Sequence, residues 1–386
     1  VSAFDVDAIS LDSLHQRASA KWRAYEPDVI PAWVAEMDFP LAESIAAALH
    51  DAIDRSDVGY RWIGELPDAL ASFADATWGW NINPEHVIVL PDVLTSIAQA
   101  ILLLTAPGDG VVVNTPVYPP FFSTVRDICG RELVDVPLLR DPSGHYELDL
   151  EGLAAAFARP EVTAYLLCSP HNPTGLTPSA DTLATIAELA LVHGVAVIAD
   201  EIHGPLAHPG TVHTPFLTVS SGDLTAVSLV SASKAWNIAG AKCAQMVAGS
   251  TRVMDIMAER VPLEVTYATG HFGVIASIAA YRGGGPWLEQ VRAQIAANAH
   301  AVHEHVTASL PSVRFVPPVS SYLAWMDFSA TGIAGDPAGF ILERSRVAVS
   351  AGPTFGAGCD GFIRLNFGTS PAILAEVLSR ITHSLP

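Results

Sequence analysis

Short, wholly apolar runs alternate with longer amphipathic segments through the middle of the chain. Val87-Ile-Val-Leu90, Val111-Val-Val-Asn114, Ala164-Tyr-Leu-Leu-Cys168, Val195-Ala-Val-Ile-Ala199, Ala226-Val-Ser-Leu-Val230 and Ala244 to Gly249 read as strands. Between them, Val93 to Leu104 and Ser179 to His193 repeat their apolar positions at helical spacing. Strands that are apolar on both faces and separated by helices predict an α/β fold, with a mostly parallel sheet covered on both sides. In such sheets ligands bind outside the carboxyl ends of the strands. Tyr118, Asn172, Asp200 and Lys234 all fall just past such ends, so the order alone predicts one shared site.

The flanks have a different pattern. Pro31 to Pro40 carries two prolines among aromatic residues and predicts an extended loop rather than a helix. Helices are expected over Leu41 to Asp54 and Pro67 to Gly79, with a glycine-punctuated aromatic loop, Val58-Gly-Tyr-Arg-Trp-Ile-Gly64, between them. After a helix at Phe272 to Tyr281, Gly283-Gly-Gly-Pro286 reads as a joint, and Trp287 to Leu310 as a long helix. Strands near Val313 to Phe315, Tyr322 to Asp327 and Phe362 to Phe367, with helices near Asp336 to Arg346 and from Pro371, predict a smaller α+β lobe. The N-terminal arm is expected to pack with that lobe.

Composition narrows the possible partners. Of 386 residues, 50 % are hydrophobic and only 16 % charged. That predicts some surface covered by another subunit. A formal net charge of -20 with no basic tract argues against nucleic acid and anionic membrane. No apolar run approaches the ~20 residues of a membrane span, and no signal-peptide pattern opens the sequence. Cys129, Cys168, Cys243 and Cys359 are scattered and predict reduced, buried thiols in a cytoplasmic protein. His300, His303 and His305 do not share one helical face, so no metal is expected.

The chain contains only three lysines, Lys21, Lys234 and Lys242. Lys234 follows Ser-x-Ser at the end of the run Ala226 to Val230. Arginine could solubilise a surface equally well, but only lysine loses its proton near neutral pH and condenses with a carbonyl. Taken singly, these positions have plainer readings. Lys234 could be a loop lysine, Asp200 a helix cap, Asn172 an Asn-Pro turn, Tyr118 a half-buried aromatic, and the serines strand-end caps. Their convergence on one sheet edge favours chemistry.

Ser-x-Ser-Lys with a basic residue eight positions on, Asp200-Glu-Ile-His203 and His171-Asn-Pro-Thr-Gly175 resemble the fold-type-I pyridoxal-phosphate enzymes. Trp33-Val-Ala-Glu-Met-Asp-Phe39, Thr115-Pro-Val-Tyr-Pro-Pro120 and Phe362-Ile-Arg-Leu-Asn-Phe367 are similar to the MalY/PatB branch, the aminotransferase-shaped cystathionine β-lyases. The resemblance implies a seven-stranded, mostly parallel sheet in a large domain, 46–285, and a small α+β domain from 1–45 and 286–386.

It also implies roles for individual residues. Lys234 would hold pyridoxal 5'-phosphate and remove the α-proton. Asp200 would keep the pyridine nitrogen protonated, Asn172 would bond the ring oxygen, Tyr118 would stack on the ring and His203 would lie near the ring oxygen. Val93 and Leu94 backbone N–H groups, Ser231, Ser233 and Lys242 would bind the phosphate. Tyr60 would reach the phosphate of the other subunit in a homodimer. Ala35, Asn172 and Arg364 would contact the amino-acid substrate, Arg364 through its α-carboxylate.

Two departures stand out: Asp92 occupies a position where the family usually has glycine, and Glu36 replaces the more usual aspartate. Histidine at 203, where related aminotransferases usually have tyrosine, tilts the expectation to β-elimination of sulfur amino acids. Transamination is the alternative, and a cofactor-bearing regulator acting through a protein partner is a second.

Overall fold

The computed structural model describes residues 4–385. The chain passes through helices α1 (Glu43–Asp54) and α2 (Leu66–Trp78) before entering the main sheet. Its strands are β1 (Val87–Leu90), β2 (Gly110–Val113), β3 (Glu132–Asp135), β4 (Val162–Cys168), β5 (Ala196–Asp200), β6 (Ala226–Val230) and β7 (Ala244–Ala248). They lie in the order β1-β7-β6-β5-β4-β2-β3. Only β7 runs antiparallel to its neighbours, β1 and β6. The mostly parallel, seven-stranded expectation holds. The seventh strand, β3, is one the apolar pattern misses, because this edge strand buries only Val134 fully and carries exposed Glu132 and Asp135 at its ends.

Alternation along the strands divides the core into two layers. Val111 and Val113 pack on one face with Ile97 and Ile101 of α3 (Val93–Leu104). Val112 packs on the other with Leu153 and Phe157 of α4 (Leu150–Phe157) and Ile186 of α5 (Ala180–His193). Helix ends follow the chemistry of their caps: Ser179 accepts the N–H of Thr182, and Gly194 closes α5 in the left-handed region at φ 69°. β3 leaves β2 to one side, while β4 to β6 progress to the other. The divergence opens a crevice at the strand ends.

Helices α6 (His271–Gly283) and α7 (Gly285–Ser309) are separated only by Gly284, so the glycine-rich stretch is a joint as expected. A second sheet follows: β8 (Arg314–Phe315), β9 (Leu323–Asp327), β10 (Ser350–Ala351) and β11 (Phe362–Asn366), ordered β8-β9-β11-β10. Helix α8 (Pro371–Ser384) packs with α7 behind it. Ile30–Pro31 pairs in parallel with Val347–Ala348, tying the N-terminal arm to this lobe.

That arm then crosses toward the main sheet as the strap Trp33 to Phe39. Asn366 Nδ2 donates to the carbonyls of Val34 and Glu36, both at 2.7 Å. Asn237 holds Met37 from the other side, accepting its N–H at 2.9 Å and donating to its carbonyl at 2.7 Å. Lys21 Nζ lies 2.8 Å from Asp38 Oδ1, with both side chains buried. Removing either partner would leave an uncompensated buried charge, at a cost of roughly 3–5 kcal/mol. These bonds fix the strap against the loop that carries Lys234.

Candidate active site

Most of the cavity wall comes from strand ends. β6 ends at Val230, and Ser231 caps the single helical turn Ala232–Ala235, which carries Lys234. β5 ends at Asp200. β4 ends at Cys168, and the loop after it supplies Asn172. β1 turns through Pro91 and Asp92 into α3, which presents Val93 and Leu94. Ala35, Asp92, Val93, Leu94, Tyr118, Asn172, Asp200, His203, Ser233, Lys234 and Lys242 all border one cavity of about 200 Å³.

Lys234 Nζ donates to the carbonyl of Ala35 at 2.7 Å, and the Tyr322 hydroxyl donates to the same oxygen at 3.0 Å. Burial and the neighbouring Arg364 guanidinium lower the amine to a pKa of about 8. A neutral, nucleophilic form is therefore accessible near neutral pH. Asp200 is 5 % exposed, and burial lifts its carboxyl to about 7, against the N–H of Ile202 and the charge of Lys234. The Ile202 N–H at 3.2 Å is its one hydrogen bond among the described residues. His203 is buried, held neutral by desolvation with its pKa near 3, and its Nδ1 has no partner.

Arg364 lies just behind this wall on β11. Nη1 donates to Asn172 Oδ1 at 3.1 Å, and Nη2 donates to the Trp33 carbonyl at 2.8 Å and Ser350 Oγ at 3.2 Å. Its guanidinium carbon sits 5.0 Å from the Phe355 ring centroid. Nε is buried without a partner, and no carboxylate pairs with this arginine among the described residues. Burial lowers its pKa to about 10. A desolvated guanidinium without a counter-ion matches an incoming carboxylate.

The residues expected at the phosphate differ from the expectation in two respects. Ser231 does not border the cavity: its hydroxyl donates to the Cys243 carbonyl at 2.7 Å and accepts the Ser233 N–H at 3.1 Å. Its proton is committed to closing the turn, and Ser233 is the serine that faces the cavity. Lys242 is at the rim, but its Nζ is 2.9 Å from Asp92 Oδ2. Asp92 turns its other oxygen to cap α3, accepting the Thr95 N–H at 2.8 Å. The N–H groups of Val93 and Leu94, at the first turn of α3, have no intrahelical partner. Tyr60 is 93 % exposed on the loop after α1 and takes no part in its own chain's cavity.

Comparison with known proteins agrees with this geometry. The family model for aminotransferase class I and II matches residues 34–381. The chain belongs to that family. A relative from Mycobacterium tuberculosis, provisionally named a cystathionine β-lyase, is 40 % identical over 406 residues, covering 98 % of both chains. Cystathionine β-lyase PatB of Bacillus subtilis is 36 % identical over 362 residues, covering 93 % of both. A Corynebacterium diphtheriae crystal structure, provisionally titled a pyridoxal-phosphate-dependent β-cystathionase, superposes with a TM-score of 0.91 at 33 % identity and 97 % coverage of each chain.

The chain is thus a pyridoxal-phosphate-dependent enzyme of this family, and its residues fit the cofactor. A buried carboxylate with a single donor, on the cavity wall, lacks the cation that a protonated ring nitrogen supplies. Two unpaired N–H groups at a helix N-terminus suit a phosphate. The site also uses groups that the motifs do not reveal. Cys168 Sγ accepts the Asn172 N–H at 3.4 Å, and Ser350 props Arg364. Both contacts join segments distant in sequence or depend on a thiol facing inward, so no local spacing signals them.

Proposed function

We propose that the protein catalyses β-elimination of a sulfur amino acid, of the cystathionine or cysteine-conjugate type, releasing a thiol, pyruvate and ammonia. The observation that carries this reading is the meeting of Lys234, Asp200 and Asn172 around one cavity, with Arg364 bonded to Asn172 just behind its wall. When bound, pyridoxal phosphate supplies the electron sink for the pair left at Cα. Arg364 binds and orients the substrate α-carboxylate, and Phe355 shields the other face of the guanidinium from water. Asn172 Nδ2 is free to donate to the cofactor ring oxygen, because Oδ1 is taken by Arg364. Lys234 Nζ, held over the cavity by the Ala35 carbonyl, takes the proton from Cα.

Neutral His203 and the names of the relatives favour expulsion of a thiolate from Cβ over transamination. Incubation with L-cystathionine tests this. Equimolar thiol and pyruvate are expected; conversion to a keto acid without thiol would overturn elimination in favour of transamination.

The working form is read as a homodimer. Tyr60 and Trp62, 93 % and 78 % exposed, lie on one loop and do not border the site cavity of their own chain. A second copy gives Tyr60 a phosphate to reach. Sedimentation at micromolar concentration should give twice the chain mass. The division into lobes 46–285 and 1–45 with 286–386 is supported by the seven-stranded and four-stranded sheets, which share no strand. A cytoplasmic setting is supported by four buried cysteines that form no disulfide among the described residues.

A further inference from the structure

Asp92 places a carboxylate where a phosphate would have to enter. Its two oxygens face different partners. Oδ1 accepts the Thr95 N–H at 2.8 Å as the cap of α3, and Oδ2 holds Lys242 Nζ at 2.9 Å. The backbone at each end of this ion pair is fixed. The Asp92 carbonyl is tied by the N–H and the hydroxyl of Ser96. Lys242 sits in the left-handed region at φ 59°, with its carbonyl accepting the Gly270 N–H at 2.9 Å. Both side chains border the same cavity as the unpaired N–H groups of Val93 and Leu94.

The cation at this rim is therefore already neutralised. A phosphate arriving at the two N–H groups meets a side-chain pair of net charge zero rather than +1. It either draws Lys242 away from Asp92 or sits beside a carboxylate. We propose that Asp92 is a determinant of cofactor retention: its carboxylate competes with the cofactor's phosphate for Lys242, so that loading and release proceed by exchange of counter-ions.

This rests on the pyridoxal-phosphate reading and adds a chain-specific property to it. The Lys242 and Asp92 side chains are 58 % and 34 % exposed. The competition is accordingly screened by salt and moderate in size. Asp92→Asn isolates the effect, because asparagine keeps an oxygen for the Thr95 N–H and remains a good N-cap while losing the charge.

The test is equilibrium titration of the cofactor-free protein, followed by the cofactor's visible absorbance rather than by turnover. Asp92→Asn is expected to bind pyridoxal phosphate about two- to fivefold tighter at low ionic strength, the span of exposed ion-pair energies. The gain should shrink at high salt. Pyridoxal, which lacks the phosphate, should bind both proteins equally. Lys242→Ala should weaken pyridoxal-phosphate binding, and adding Asp92→Asn to it should yield a smaller gain than in the parent.

Unchanged or weaker binding by Asp92→Asn overturns the proposal. So does an equal gain for pyridoxal, which would place the effect in the ring pocket or the fold. Failure of the parent protein to bind pyridoxal phosphate at all would instead remove the cofactor reading beneath it.

Discussion

At the inner end of the cavity Asp200 and Asn172 on the wall, and Arg364 just behind it, are each 5 % exposed; at the outer end Lys242 and Asp92 keep 58 % and 34 % of their side-chain surface. The inner end is organised by what its groups lack. Asp200 has one donor, Arg364 has no acid and a buried Nε without a partner, and His203 has a bare Nδ1. In a desolvated setting each missing partner is expensive, which selects sharply for the one ligand that supplies it. The outer end is already satisfied: Lys242 has Asp92, and Asp92 has Thr95. There water and salt blunt every charge. On the proposed reading, recognition of the reacting centre and retention of the cofactor are set by different physics within one cavity.

The contrast predicts that inner substitutions cost far more than outer ones. Lys234→Ala should have the largest effect. Losing both the tether and the base should reduce elimination by at least ~10³-fold, within the range for a positioned proton-transfer group combined with a lost covalent anchor. The visible cofactor band of the holoprotein should disappear in the same variant. Retention of that band would put the tether elsewhere and break the comparison outright.

Asp200→Asn comes next. Breaking a buried charge pair costs roughly 3–5 kcal/mol, which is ~10²–10⁴ in rate if it falls wholly on the transition state. The same residue gives a pH signature without turnover. Burial raises Asp200 from 3.8 to about 7 and its neighbour Glu201 from 4.5 to about 8. Between those values the cofactor-free native state binds more protons than the unfolded chain. Its stability is therefore fullest below about pH 4 as far as these two groups are concerned, and falls as pH rises toward 8. Cofactor gives Asp200 a cation, so the rise in melting temperature on loading should grow from pH 5 to 7.5. A pH-independent rise would mean that Asp200 has no ionic partner in the holoprotein.

Arg364→Lys tests the substrate side of the inner end. A single ammonium cannot reproduce a planar two-pronged contact with a carboxylate. A loss of about 1.5–3 kcal/mol, the worth of a charge-assisted hydrogen bond, is roughly 10- to 150-fold in kcat/KM. KM should carry most of it, because the carboxylate is bound equally before and during the reaction. A change in kcat alone would give Arg364 a role in chemistry rather than in binding.

The inner end was also the more legible in sequence. Asp200, Asn172 and Lys234 follow apolar runs whose ends are visible by inspection, and parallel-sheet geometry brings such ends together. Arg364 stands out within Phe362-Ile-Arg-Leu-Asn-Phe367 because a charge there interrupts a buried strand. The outer end was less legible because it depends on rotamers. Ser231 was expected at the phosphate, but its hydroxyl finds the Cys243 carbonyl across the turn. Asp92 stood out as a departure from the usual glycine, and one of its oxygens caps α3. The sequence pattern contains nothing about the other oxygen meeting Lys242, 150 positions away. β3 escaped for a related reason: an edge strand needs only one buried face, so Glu132 and Asp135 disguise it.

The smallest expected effect concerns a residue one layer out from the inner end. Ser350 Oγ donates to the Trp33 carbonyl at 2.7 Å and receives Arg364 Nη2 at 3.2 Å. It thereby couples the strap to the plane of the guanidinium. Nη2 also donates to the Trp33 carbonyl directly, so Ser350→Ala leaves the charge bonded but less constrained. Loss of one such bond is worth about 1 kcal/mol, or roughly fivefold. That loss should appear in KM for the amino acid, while kcat and cofactor affinity stay within twofold. A structural role alone would lower the melting temperature and leave KM in place. The split between KM and kcat therefore distinguishes positioning of Arg364 from mere support of the strap.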